Sequence, residues 1–94
     1  MVQDADRLDA LGAIGIARCF LTGATFGNPI YDPTEPFPIE REAADHISII
    51  DHFYTKLLTL AGTMQTAAGR AEATRRTTFM QEYLGQLGRE ISSV

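Results

Sequence analysis

Apolar residues fall into three stretches with helical spacing, separated by one long interruption. In the first, Leu8, Leu11, Gly15, Cys19 and Phe20 recur as one face of a helix requires. That helix is predicted to begin near Asp4 or Asp6, either of which can cap it while complementing the positive end of its dipole, and to end at Gly23. Gly12, Gly15 and the neighbouring alanines leave room on it for another backbone to come close. The second stretch puts Ile50, Phe53, Tyr54, Leu57, Leu58 and Leu60 on an apolar face. Ser48-Ile49-Ile50-Asp51 has the form of a capping box, so this helix is predicted from Ser48 through Ala61, with Gly62 as its stop. In the third, Met80, Leu84, Leu87 and Ile91 follow one another by helical steps, predicting an amphipathic helix from about Thr66 towards Ile91. Its wet face carries Arg70, Arg75, Arg76, Glu82 and Arg89.

The interruption, residues 24–45, holds Pro29, Pro33, Pro36 and Pro38 together with Gly27 and Asn28. Such a composition excludes regular helix and disfavours a central strand. A loop of about 20 residues is uncommon inside a compact domain, and points either to a functional lid or to surroundings that lie outside the chain. The predicted fold class is all-α, with three main helices and a long Pro-rich loop in a single domain over residues 1–94.

Composition narrows the function classes. An apolar fraction of 45 % with 21 % charged residues predicts folding rather than disorder. The net charge of −4 argues against a nucleic-acid or anionic-membrane binder, since both need a basic surface. Acidity is concentrated in residues 24–65, where six carboxylates face only Arg41 and Lys56. The apolar run from Ala10 to Phe26 is interrupted by Arg18 and is shorter than the roughly 20 residues that span a bilayer, so it is read as a core helix. A lone Cys19 permits no internal disulfide, and the acidic N-terminus is unlike a secretory signal; both predict a cytoplasmic setting.

Asp4, Asp6 and Asp9, with Arg7 among them, are the candidate chemistry. Spacing leaves three roles open: metal ligands, an acid/base pair, or solvated carboxylates in a first helical turn. A calcium loop of the EF-hand type fails, because Leu8 stands at the third ligand position and Asp9 at the glycine. His46 and His52 are six residues apart, about 240° around a helix, and are read as surface or capping residues rather than a metal pair. Cys19 lacks a basic neighbour and is read as core. Gly12 and Gly15 follow no strand, so they are not read as a phosphate-binding loop.

The string Ala5-Asp6-Arg7-Leu8, within Val2 to Arg18, closely resembles the last motif of the HD-domain metal-dependent phosphohydrolases. His52-Phe53-Tyr54-Thr55-Lys56-Leu57-Leu58 and Phe79-Met80-Gln81-Glu82-Tyr83-Leu84 are similar to C-terminal helices of the small bacterial branch of that superfamily. The resemblance covers nearly the whole chain. It implies a family signature of a histidine, a His-Asp dipeptide and a distant aspartate, which hold Mn²⁺ or Mg²⁺ and activate water against phosphorus. Asp6 matches the distant aspartate. Arg7, Asp4, Asp9 and Lys56 are then expected as groups supporting the metal or contacting phosphate, although Thr55 stands where the resemblance leads one to expect an acidic residue.

The His-Asp dipeptide is missing; the histidines occur only as Asp45-His46 and Asp51-His52, downstream of Asp6. The resemblance therefore implies the C-terminal half of such an enzyme, with a nucleotide as substrate of the complete protein and only weak metal binding by this part. The small-residue helix is expected to bury its free face against a second copy or a complementary N-terminal fragment. The alternative expectation is a non-catalytic helical oligomerisation or interaction module.

Overall fold

In the computed structural model, residues 2–92 are described, with side chains from Ala5 onward. Four α-helices, α1 (Val2–Leu8), α2 (Gly12–Thr25), α3 (Ile49–Thr55) and α4 (Ala67–Ser92), are joined by turns, by the long loop and by a 3-10 helix, Leu57–Thr63. The described residues form an all-α fold. The third apolar stretch becomes its spine: α4 packs against α1, α2 and the 3-10 helix, and α3 packs on α2. Met80 and Leu84 of α4 meet Leu11, Ile16, Ile50, Phe53 and Leu57 in the core. Phe20, Phe53 and Tyr83 cluster with ring centroids 6.0 to 6.4 Å apart. Full burial of side chains such as Phe53 and Leu11 contributes about 1.5–3 kcal/mol each.

The single first helix predicted from the sequence is two helices. The chain turns at Asp9-Ala10-Leu11, and Gly12 enters α2 at φ +71°, a conformation that L side chains resist. At Gly15 the Ala10 carbonyl lies where a side chain would stand: an added Cβ would be 2.3 Å from its carbon and oxygen. The backbone admitted by this glycine is thus the chain's own. Asp6 is inside α1, not at its cap, because the helix already runs from Val2. Asp4 falls in the same helix, but its side chain lies outside the described residues. Arg76, expected on the wet face of α4, is half-buried and donates to the Leu8 carbonyl at 2.6 Å, satisfying the C-terminal end of α1.

The predicted second helix is also divided. Its start is as expected: Ser48 Oγ accepts the Asp51 N–H at 3.1 Å and donates to Asp51 Oδ1 at 2.8 Å. The Pro29 and Ile30 carbonyls take the N–H groups of Ile49 and Ile50, so the loop itself completes the first turn. The α-helix ends at Thr55, however, not Ala61. Thr55, Thr59 and Thr63 each bond the carbonyl three residues back, a pattern that favours the tighter 3-10 winding seen from Leu57. The third helix appears where predicted, with Thr66 Oγ1 accepting the Gly69 N–H at its start.

The Pro-rich segment has no regular structure, yet it is tied down by a buried carboxylate. Arg41 grips Asp51 with two bonds, of 2.5 and 2.8 Å, and Asp51 also accepts the Ala44 N–H at 2.9 Å. Burial pushes the Asp51 carboxyl up, but Arg41, Ala44 and Ser48 outweigh it and hold its pKa at about 2. Asp32 and Glu35 lie 3.6 and 3.8 Å from Arg41 Nε. None of the described helices is long and apolar enough to cross a membrane.

Candidate functional site

A cleft of about 400 Å³ runs from the end of α1 along α2, facing α3 and the turn that leads into it. Asp6 reaches it from α1, Arg18 and Cys19 from α2, and His52 from α3, with Asp45 on the preceding turn. Gly15 and Gly23 floor it because neither carries a side chain; Ile49 packs so closely on Gly23 that a Cβ there would approach within 2.4 Å. The kink at Gly12 is what allows α1 and α2 to present Asp6 and Arg18 to one space.

Of the residues singled out from the sequence, Asp6 lines this cleft and is exposed. Asp9 is exposed beside it, where its backbone carbonyl lies 3.5 Å from the Arg18 guanidinium. Arg7 points away and donates to the Thr63 carbonyl, joining α1 to the 3-10 helix. Lys56 sits at the break after α3, where its N–H bonds the His52 carbonyl. The cleft therefore gathers Asp6 but not Arg7, Asp9 or Lys56.

Two groups in the cleft were not evident as chemistry in the sequence. His52 Nδ1 lies 3.0 Å from Asp45 Oδ1, and the Thr55 hydroxyl donates to the same oxygen. The Thr55 bond, followed by that of His52, holds the Asp45 carboxyl below the usual range, so it is ionised and can only accept. Nδ1 must then carry the proton, which leaves Nε2 as the open nitrogen of the ring. His46, by contrast, is exposed in the turn as expected. Cys19 is half-buried rather than core; burial first, and the Asp45 charge second, push its thiol up to about 11, which makes it a poor nucleophile.

A divalent ion needs several donors around one point, and among the described residues no three His, Cys, Asp or Glu side chains converge in that way. Among the described residues Asp6 and Asp45 are the carboxylates lining the cleft, and Oδ1 of Asp45 is engaged by His52 and Thr55. The residues present do not by themselves fit a metal centre.

No family model matches the sequence. Individual proteins do. The chain is 39 % identical over 93 residues to the uncharacterized protein YpgQ of Bacillus subtilis, covering 99 % of this chain and 40 % of that protein. The crystal structure of an HD-superfamily hydrolase from Bacillus thuringiensis superposes with a TM-score of 0.82 at 44 % identity, over 99 % of this chain and 45 % of that one. A crystal structure of Bacillus subtilis YpgQ in complex with ADP gives a TM-score of 0.78 at 41 % identity, over 96 % and 43 %. The chain thus spans less than half the length of these relatives. At this identity over nearly its whole length, and with the same helical fold, the chain corresponds to part of an HD-superfamily hydrolase.

Proposed function

We propose that the chain is the C-terminal half of a metal-dependent phosphohydrolase that cleaves phosphate or diphosphate linkages of nucleotides, and that it is inactive alone. The observation that carries this is Asp6: a carboxylate within the HD-like string Ala5-Asp6-Arg7-Leu8, on the wall of the cleft, with no second and third donor among the described residues. Asp6 is the metal ligand contributed by this half, and the histidine and His-Asp ligands come from the other. Mn²⁺ or Mg²⁺ would supply an activated water to the complete enzyme. Hydrolysis of nucleoside triphosphates with manganese tests it. The chain alone is expected to show no turnover, and mixing with the N-terminal half of the Bacillus thuringiensis relative is expected to restore it. Turnover by the chain alone, or restored turnover that survives Asp6→Ala, contradicts the proposal.

A second reading is a non-catalytic interaction module. It is favoured by the free side of α2, where Ile14 and Leu21, seven residues apart, are 58 % and 71 % exposed. Either a second copy or the complementary half would cover that side. Light scattering at micromolar concentration distinguishes them: a clean monomer on its own removes self-association and leaves the complementary half.

A further inference from the structure

The Asp45–His52 pair, braced by Thr55, takes no part in the role assigned to Asp6, yet both of its members line the same cleft. Two bonds to one carboxylate oxygen fix the ring: Thr55 and His52 both sit on α3 and both reach back to Asp45 on the turn. Ser48 anchors that turn by capping α3, so the ring position follows from the local fold. His52 is 34 % exposed and lines the cleft, and its Nε2 has no partner among the described residues.

We propose that His52 contacts a sugar hydroxyl of a nucleotide through Nε2, with Asp45 as the positioning residue that fixes the ring. This rests on the reading that the cleft takes a nucleotide. The choice of sugar over phosphate comes from the chemistry of this wall. With Nδ1–H directed at Asp45, the neutral ring offers a lone pair at Nε2 and accepts there. A phosphate oxygen placed here meets that lone pair and the Asp45 carboxylate, both repulsive, while a hydroxyl donates to it. The other ionisable groups lining the cleft are Asp6 from α1 and Arg18 and Cys19 from α2. Phe26, 76 % exposed at the end of α2, adds an apolar surface at the mouth beside Asn28.

The chain has two histidines, so ¹⁵N-histidine labelling reads His52 directly with His46 as an internal reference. In the free chain His52 is expected as the Nδ1–H tautomer, and Asp45→Ala is expected to abolish that preference. The magnesium salt of ADP is expected to shift the Nε2 resonance saturably while His46 stays put. The magnesium salt of 2′,3′-dideoxy-ADP is expected to bind about five- to tenfold more weakly and to leave Nε2 unmoved. Magnesium alone and inorganic pyrophosphate are expected to leave it unmoved as well. His52→Gln is expected to remove most of the discrimination between the two nucleotides. Equal shifts with ADP and its dideoxy analogue, or a shift with pyrophosphate, overturn the sugar contact. Amide shifts at Arg18 and Asn28 with His52 silent overturn it too, while leaving the nucleotide reading standing. No perturbation of the cleft by any probe overturns the sugar contact in this chain.

Discussion

At the scale of single residues, Asp51 holds more of the structure than any other polar side chain. It is fully buried, yet it joins the cap of α3, the Arg41 guanidinium and the Ala44 backbone. Removing its charge takes from the Arg41 guanidinium the carboxylate that grips it with two bonds, and leaves it only the more distant Asp32 and Glu35. Asp51→Asn is therefore expected to lower the urea midpoint sharply and to release the Pro-rich loop to proteolysis. A folded pKa of about 2 lies below the ordinary value, so the stabilisation is complete above about pH 4 and is lost as pH falls towards 2. Urea unfolding between pH 2 and pH 6 should show this loss. In Asp51→Asn the dependence should be shallower but not absent, because the Asp45 and Glu72 carboxyls are also held low. Equal pH dependence in the two proteins would remove Asp51 from the account.

At the scale of elements, periodicity predicted three helical regions, and α4 together with the start of α3 appear where expected. What periodicity did not show is where a region breaks. The Gly12 kink and the Gly15 contact keep Leu8 and Leu11 on the core, so the apolar spacing reads as one helix although the axis turns. Threonine back-bonding likewise leaves the apolar pattern of the second region intact while winding its end more tightly. The candidate site was legible only as far as Asp6, which the resemblance identified. The Asp45–His52 and Arg41–Asp51 pairs depend on the path of an irregular loop, which no periodicity encodes. Two substitutions test these local causes. Gly15→Ala forces a methyl into the Ala10 carbonyl and is expected to cost about 2–3 kcal/mol, read as a lowered thermal midpoint. Ser48→Ala removes the α3 cap and is expected to cost about 1–2 kcal/mol. A neutral Gly15→Ala would mean that the kink is not held as described.

At the scale of the whole molecule, the exposed side of α2 and an Asp6 carboxylate with too few partners for a metal among the described residues have one explanation in the proposed complementary half. Leu21→Glu places a charge on that side without touching the core, and is expected to weaken association with a complementary half at least tenfold while leaving the chain's own unfolding midpoint nearly unchanged. Unaltered association would move the contact elsewhere on the surface. The central claim is that Asp6 is one ligand of a metal centre completed by another segment, and manganese binding followed by electron paramagnetic resonance tests it most directly. The chain alone is expected to leave manganese free at micromolar concentration. Its mixture with the N-terminal half of the Bacillus thuringiensis relative is expected to bind the ion stoichiometrically, and Asp6→Asn in this chain is expected to weaken that binding at least tenfold. Tight manganese binding by the chain alone, or binding by the mixture that is indifferent to Asp6→Asn, would contradict the account.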